Sequence, residues 1–156
     1  MKVGLIGLGR MGEGMSRRMI KAGIEVYGYR RNYEKAKESE EHGYITSAAD
    51  SLESLVQVVH EQEGMIGEAP GIFQLVIPAE LVEDTINELL PLLGDGDIII
   101  DHGNSNFKDS RRRAEYLAKL GIQYIDCGTS GGVYGCLLYT SPSPRDLSTS
   151  RMPSSA

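Results

Sequence analysis

Short apolar runs alternate along the chain with longer segments in which apolar residues recur at helical spacing. The short apolar run at 2–6 predicts a buried strand, and the alternating segment at 24–29 predicts a second strand. Further strands are predicted at 71–77, 98–100 and 122–126. Ile98, Ile99 and Ile100 are apolar in succession, which is typical of a parallel strand covered on both faces. Pro78 ends the run at 71–77, because proline cannot donate to a β ladder.

Helices are predicted between these strands, at 11–22, 33–41, 51–63, 80–93 and 106–120. Gly23 closes the first helix, and Ser51 is a candidate N-cap of the third. Strand and helix alternate throughout, which predicts a doubly wound, mostly parallel α/β sheet of the Rossmann type. In the first helix the residues that recur at helical spacing are Met11, Met15, Met19 and Ala22. The third helix carries Leu52, Leu55, Val56 and Val59 on one face, and the positions expected inward in the fourth are Val82, Ile86, Leu89 and Leu90.

Composition narrows the class of protein. The 156 residues include 16 Lys+Arg and 22 Asp+Glu, for a net charge of −6. Such a chain has no general attraction for nucleic acid or an anionic membrane, and no apolar run is long enough to span a bilayer. Cys127 and Cys136 form no metal-ligand or redox pattern. We expect a soluble cytoplasmic protein with reduced thiols, no metal, and no nucleic-acid or membrane partner.

The character of the sequence changes at Cys136. Residues 136–156 contain six Ser and three Pro and show neither helical nor strand periodicity. One interpretation is a disordered tail. The other comes from back-translation, because CLLYTSPSPRD and SRMPSSA resemble, in order, two constant blocks of a transposon-end sequencing adapter. We therefore expect one α/β domain at 1–135, incomplete at its C-terminal end, and a disordered, adapter-derived segment at 136–156.

A glycine-rich loop joins the first strand to the first helix. The first glycine permits a tight turn, the second lets the backbone approach a pyrophosphate, and the third lets the helix pack close to the strand. The helix N-terminus then offers free N–H groups to the anion. This pattern predicts dinucleotide binding, and the alternative is a glycine-rich turn in an unrelated α/β protein. The loop consists of Gly7, Leu8, Gly9, Arg10, Met11 and Gly12.

Arg30, Arg31 and Asn32 end the second predicted strand. NAD-binding proteins usually place an acidic residue here to hold the ribose 2′-hydroxyl. Two guanidinium groups instead suit the 2′-phosphate of NADP, which they can bind bidentately. The alternative is a pair of solvated surface arginines.

Two further loops follow strand ends, where open α/β sheets bind ligands. In Asp101-His102-Gly103-Asn104-Ser105, an amide and a hydroxyl are expected to be exposed, although an Asx-type turn explains the loop equally well. The glycine-rich loop at 127–132 suggests backbone close to a ligand, or simply a flexible loop. Cys127 is expected to be packing rather than a nucleophile. His42 and His60 are expected to be exposed helix residues, and the sequence shows no partner for His102.

Taken together, GLGRMG at 7–12, DHGNS at 101–105 and GTSGG at 128–132 resemble the N-terminal domain of decarboxylating 6-phosphogluconate dehydrogenase, particularly its shorter bacterial branch. The resemblance covers about residues 1–135 and identifies this region as a dinucleotide-binding domain. Related 3-hydroxyacid dehydrogenases share GLGxMG, but their other loops usually carry Asp-Ser-Thr and Pro-Val-Ser-Gly-Gly patterns.

The resemblance implies a reaction and a role for each matching residue. The family oxidises the C3 hydroxyl of 6-phosphogluconate by hydride transfer to NADP, and the product loses CO2 without a metal to give ribulose 5-phosphate in the pentose phosphate pathway. A lysine base and a glutamate acid transfer the protons. Asn104 is implied to contact nicotinamide and substrate, and Arg31 to bind the 2′-phosphate. Ile77, Pro78 and Ala79 are implied to line the cofactor, and Ser130, Gly131 and Gly132 to bind the substrate's carboxylate and hydroxyls.

Three departures from the family pattern leave alternatives open. His102 replaces the second glycine of DGGNS. Arg30 stands where the short branch often has Asp, so the use of NAD by that branch need not extend to this chain, and NAD is kept as the alternative cofactor. The match stops at Gly135, before the lysine base, so we expect the fragment to be inactive. The intact protein is expected to be a homo-oligomer. The rivals are a 3-hydroxyacid dehydrogenase, which the Asn104-Ser105 pair disfavours, and a non-catalytic NADP-binding module.

Overall fold

Strands and helices alternate from Lys2 to Asp126 in the computed structural model, which describes residues 1–61 and 69–129. The strands are β1 (Lys2–Ile6), β2 (Glu25–Tyr29), β3 (Ser47–Ala49), β4 (Ile72–Leu75), β5 (Ile98–Asp101) and β6 (Gln123–Asp126). The helices are α1 (Arg10–Lys21), α2 (Tyr33–Glu41), α3 (Leu52–His60), α4 (Ala79–Leu89) and α5 (Phe107–Ala118).

The six strands form one sheet in the order β3-β2-β1-β4-β5-β6, and each neighbouring pair is parallel. The chain winds outward from β1 to β3, crosses back to β4, and then winds outward to β6. This confirms the doubly wound Rossmann-like prediction. Because the winding direction reverses between β1 and β4, the loops after these strands separate and open a crevice at their carboxyl ends.

Each face of the sheet has its own apolar cluster. Leu5 and Ile6 are adjacent in β1 but belong to different clusters, as the alternation of side chains along a strand requires. The larger cluster joins Phe73 and Ile99 of the sheet to α3, α4 and α5, and the inward positions predicted for α3 are all buried there. The smaller cluster joins Leu5 and Val26 to α1 and α2.

Helix α1 buries small residues where it approaches the sheet. Its buried residues are Gly12, Gly14 and Ser16, whereas Met11, Met15 and Met19 are half-buried. Met19 also packs against the smaller cluster. Residues without bulk let the helix axis lie close to the strands, and the longer side chains stay partly exposed.

The sequence did not predict β3, and some helices end earlier in the structure than predicted. In the part of the chain that the structure describes, β3 lies at the edge of the sheet and pairs with β2 alone. Its three residues, Ser, Ala and Ala, form no apolar run. Helix α4 ends at Leu89 rather than 93, because Pro91 lacks the N–H of a continuing helix. Ser51 caps α3 as predicted, in a reciprocal capping box with Ser54. The predicted end of α3 at 63 lies outside the described residues.

Candidate functional site

A cleft of about 410 Å³ lies at the carboxyl ends of β1 and β4. It brings together three segments that the sequence analysis singled out: the glycine-rich loop, the end of β2, and the residues after β4. Its lining residues are Ile6, Gly7, Leu8, Gly9, Tyr29, Arg30, Arg31, Asn32, Leu52, Val76, Ile77, Pro78, Leu81, Thr85 and Glu88.

The three glycines of the first loop differ in what surrounds them. Gly7 has a φ of +104°, and a Cβ there would lie 2.2 Å from the carbonyl oxygen of Val76. A Cβ on Gly12 would lie 2.0 Å from the carbonyl oxygen of Gly7. By contrast, no atom of the described residues lies within 4 Å of a Cβ built on Gly9. The fold itself therefore requires Gly7 and Gly12, whereas Gly9 leaves open space in the cleft.

That open space lies at the N-terminus of α1. Gly9 is the N-cap of the helix, and no side chain caps the first turn, which begins with Arg10 and Met11. The first N–H groups of a helix have no partner within the helix, and together with the helix dipole they favour an anion. The geometry thus fits the pyrophosphate of a dinucleotide.

The two arginines after β2 differ in their contacts. Arg30 is half-buried and its Nη1 donates a hydrogen bond of 3.0 Å to the carbonyl oxygen of Leu8, so it ties the end of β2 to the glycine-rich loop. Arg31 is exposed on the cleft wall and makes no hydrogen bond or ion pair with the described residues. Asn32 also lines the cleft, but its Oδ1 accepts from the backbone N–H of Lys35 and caps α2.

The segment after β4 connects the cleft to the loop after β5. Ile77 and Pro78 line the cleft, while Ala79 begins α4 and is not among the lining residues. A Cβ on Gly103 would lie 2.9 Å from the carbonyl oxygen of Ile77, so the backbone of the loop at 101–105 packs directly against the cleft wall. Asn104, the next residue, therefore lies beside the cleft in the chain, although it is not among the residues that line the cleft.

Asp101 organises the loop at 101–105. Its carboxylate is fully buried, and Oδ1 accepts a 2.7 Å hydrogen bond from the N–H of Gly103. Oδ2 accepts from the hydroxyls of Ser105, at 2.7 Å, and Tyr124, at 2.6 Å. Asn104, between the two loop contacts, adopts a left-handed φ of 53° with an exposed side chain. The expected exposed amide is present, but the Ser105 hydroxyl points inward, which corrects the prediction.

Arg113 completes this cluster from α5. Its side chain is 8% exposed; Nη1 donates to the Ser105 Oγ at 3.0 Å and lies 3.7 Å from Asp101 Oδ2. Its Nε donates to Glu83 at 2.8 Å. Burial and the hydrogen bond to Asp101 raise the pKa of Tyr124 to about 12, so this phenol remains a donor. The sequence analysis did not predict that Tyr124 and Arg113 contact this loop. The one signal in the sequence is Asp101 itself, an acidic residue at the end of an apolar strand.

His102 is buried beside this loop, with a partner that the sequence did not reveal. Its Nε2 lies 3.1 Å from Oε1 of Gln74, and its Nδ1 has no partner among the described residues. Burial lowers the pKa of His102, against the opposing charge of Asp101. Cys127 follows β6 and is half-buried, and burial raises the pKa of its thiol, which disfavours the nucleophilic thiolate.

His60 is not an exposed helix residue as predicted. Its Nε2 lies 3.0 Å from both carboxylate oxygens of Asp97, and its side chain is 14% exposed. Asp97 also accepts from the N–H groups of Gly71 and Gly94. The group ties α3 to the starts of β4 and β5, at the opposite end of the sheet from the cleft, and so has a structural role. His42 is exposed, as expected.

The remaining predicted site residues, Ser130, Gly131 and Gly132, lie outside the described residues, as does the segment at 136–156. Within residues 1–61 and 69–129, no three His, Cys, Asp or Glu side chains converge on a possible metal position. No helix of that same part of the chain is long and apolar enough to cross a membrane.

Comparison with known proteins assigns the family. Residues 2–139 match the family model of the NAD binding domain of 6-phosphogluconate dehydrogenase. The chain is 38% identical over 136 residues to the decarboxylating 6-phosphogluconate dehydrogenase of Drosophila simulans, covering 85% of this chain and 27% of that protein. It is 36% identical over 138 residues to the NAD(+)-dependent decarboxylating enzyme of Haloferax volcanii, covering 88% of this chain and 42% of that protein.

Solved structures agree with this assignment. The 6-phosphogluconate dehydrogenase of Plasmodium falciparum, described with its cofactor NADP+ and its substrate 6-phosphogluconate, aligns with a TM-score of 0.74 and 28% identity, covering 88% of this chain and 29% of that one. A 3-hydroxyisobutyrate dehydrogenase from Salmonella typhimurium, 23% identical with a TM-score of 0.69, shares the fold. This chain spans less than half the length of the relatives described here. With a match over nearly its whole length, the chain belongs to the 6-phosphogluconate dehydrogenase family as its NAD-binding domain.

Proposed function

We propose that this chain is the cofactor-binding part of an NADP-preferring enzyme that oxidatively decarboxylates 6-phosphogluconate to ribulose 5-phosphate. One observation carries the proposal: the cleft joins a helix N-terminus to Arg31, neither of which has a side-chain partner among the described residues, and Asn104 lies beside it. When bound, NADP supplies the acceptor for a hydride from the C3 carbon of the substrate.

The glycine-rich loop holds the pyrophosphate of the cofactor. The free N–H groups at the start of α1 donate to its oxygens, and the space in front of Gly9 admits them. Arg30 supports this loop by its hydrogen bond to Leu8. Ile77 and Pro78 provide apolar contact from the cleft lining, and Ala79, implied by resemblance to line the cofactor as well, follows them at the start of α4.

Arg31 selects the cofactor. It has no protein partner among the described residues, so its donors are free for a 2′-phosphate on the adenosine ribose. Relatives of similar identity are named as NAD(+)-dependent, so family membership alone does not decide the preference. The absence of an acidic residue at 30–32 supports NADP, because a carboxylate there would repel the phosphate.

Asn104 contacts both the nicotinamide and the substrate. Its exposed amide donates and accepts, which suits the carboxamide of one and a hydroxyl of the other. By resemblance, Ser130, Gly131 and Gly132 bind the carboxylate and hydroxyls of 6-phosphogluconate. The motifs matched in residues 1–135 do not include the family's lysine base and glutamate acid, so we expect residues 1–135 alone to be inactive.

The test is the activity of the intact protein encoded at the source locus. We expect NADPH to form and labelled CO2 to be released from carboxyl-labelled 6-phosphogluconate, with 3-hydroxyisobutyrate as the control substrate. Purified residues 1–135 should show no turnover, since general acid–base groups contribute roughly 10²–10⁴-fold. Oxidation of 3-hydroxyisobutyrate instead would favour the rival dehydrogenase, and cofactor binding without turnover of either substrate would favour a binding module.

A further inference from the structure

The loop that presents Asn104 is held on both sides by one buried carboxylate. Asp101 accepts from the N–H of Gly103, just before Asn104, and from the hydroxyl of Ser105, just after it. Between these two contacts Asn104 adopts a left-handed φ of 53°. Asparagine tolerates this conformation better than most residues, but an unrestrained loop would populate other backbone conformations as well.

The hydroxyl of Ser105 is bonded on both sides inside the protein. It donates to Asp101 at 2.7 Å and accepts from Nη1 of Arg113 at 3.0 Å. The direction of its proton is therefore set, and that proton is not available to a ligand. Of the two adjacent polar residues, Asn104 is exposed beside the cleft, and Ser105 anchors the loop.

Arg113 is the cation that offsets the cost of burying the carboxylate of Asp101. An isolated buried carboxylate is costly unless it is paired and hydrogen-bonded. Glu83 accepts from Nε of Arg113 at 2.8 Å and orients the guanidinium toward the loop. The neighbouring Arg112 also contacts Glu83, at 3.0 Å, but does not reach the loop. Two adjacent arginines thus share one partner, and only one touches Ser105.

We propose that Asp101, Ser105 and Arg113 are positioning residues that set the conformation of Asn104 for hydride transfer. They do not touch cofactor or substrate, and they act through the backbone of the loop. Tyr124 contributes from β6 through its hydrogen bond to Asp101. This inference rests on the proposed function, because it requires Asn104 to contact the reacting groups.

A double-mutant cycle in the intact dehydrogenase tests the proposal. Ser105→Ala should lower kcat/KM for 6-phosphogluconate about tenfold, since a small misplacement of a catalytic group is costly. Ser105→Thr, which keeps the hydroxyl, should restore most of the activity. In an Asn104→Ala background, Ser105→Ala should have less than about a twofold further effect, because coupled residues are not additive.

The matched pair on α5 provides the control. Arg113→Lys should lower kcat/KM, because lysine cannot bridge Glu83 and Ser105 with a planar fork. Arg112→Lys should leave kcat/KM unchanged. Thermal unfolding of each variant measures the structural cost separately. Should Ser105→Ala fail to fold, Tyr124→Phe removes another donor from the same Asp101 oxygen and enters the cycle in its place.

The outcomes separate the two proposals. If Asn104→Ala leaves kcat/KM unchanged, the role of Asn104 in the proposed function is wrong, and the positioning proposal falls with it. If Asn104→Ala is costly but Ser105→Ala adds its full effect on top, the proposed function stands and the positioning proposal is overturned. Equal losses in Arg113→Lys and Arg112→Lys would overturn it as well.

Discussion

Replacing Arg31 with alanine should change cofactor choice, whereas replacing Arg30 should not. Arg31 is exposed on the cleft wall without a partner among the described residues, so its guanidinium is free for the 2′-phosphate. Arg30 already donates to the carbonyl of Leu8 at 3.0 Å. Its loss should loosen the glycine-rich loop, which both cofactors use, and should weaken NADP and NAD alike.

The size of the Arg31 effect follows from the kind of contact. A charge-assisted hydrogen bond contributes roughly 1.5–3 kcal/mol, which screening at an exposed site reduces to about 1–2 kcal/mol. Because 1.4 kcal/mol corresponds to a factor of ten, the NADP+ preference should fall about five- to thirtyfold in Arg31→Ala. The preference of the wild type should also shrink as salt rises, since the contact is screened.

The assay is the ratio of kcat/KM for NADP+ to that for NAD+ in the intact enzyme, at low and high salt. Lys21→Ala is the control, because it removes the same charge from an exposed position at the far end of α1. A wild type that prefers NAD+, or an Arg31→Ala variant that weakens both cofactors equally, would refute the assignment of Arg31 to the 2′-phosphate.

Three further predictions concern the glycine-rich loop, the buried His102 and the DNA that follows the codon of Gly135. The Gly9→Ala variant should keep the thermal stability of the wild type but bind both cofactors weakly, because its Cβ would occupy the open space in the cleft. The Gly12→Ala variant should lose about 1–3 kcal/mol of unfolding free energy, because its Cβ would clash with Gly7. Equal stabilities of the two variants would contradict this prediction. Because the folded-state pKa of His102 is lowered, unfolded chains bind the proton more readily, so stability should fall as pH drops below about 6.5. The His102→Gly substitution should reduce this loss of stability at acid pH, measured as the free energy of unfolding by denaturant at several pH values. An unchanged pH dependence would show that a different group causes the loss. DNA amplified from the source should diverge from this sequence at or just after Gly135, and finding CLLYTSPSPRD encoded there would disprove the adapter interpretation.

Much of the fold could be predicted because its signals are local. The apolar run of β5 and the periodicity of α3 record burial directly, since each position faces the core or solvent according to its own spacing. The cofactor loop was likewise predictable from the spacing of its glycines. Gly12 is required by a contact with Gly7 in the same loop, whereas Gly7 is required by the carbonyl of Val76, which is distant in the sequence. The short strand β3 was not predicted, because it is a strand through its pairing with β2 and not through the composition of its own residues.

The sequence alone determined the alternation of strands and helices, the position of the glycine-rich loop and the family resemblance, because all three depend on neighbouring residues. Only the tertiary structure decided which polar groups meet. It paired His60 with Asp97, 37 residues away, and Asp101 with Tyr124, 23 residues away. It also turned Ser105 inward and left Arg31 without a hydrogen bond or ion pair to any residue that the structure describes. These outcomes depend on which strands become neighbours in the sheet, and no local pattern encodes the partner that a buried charge finds there.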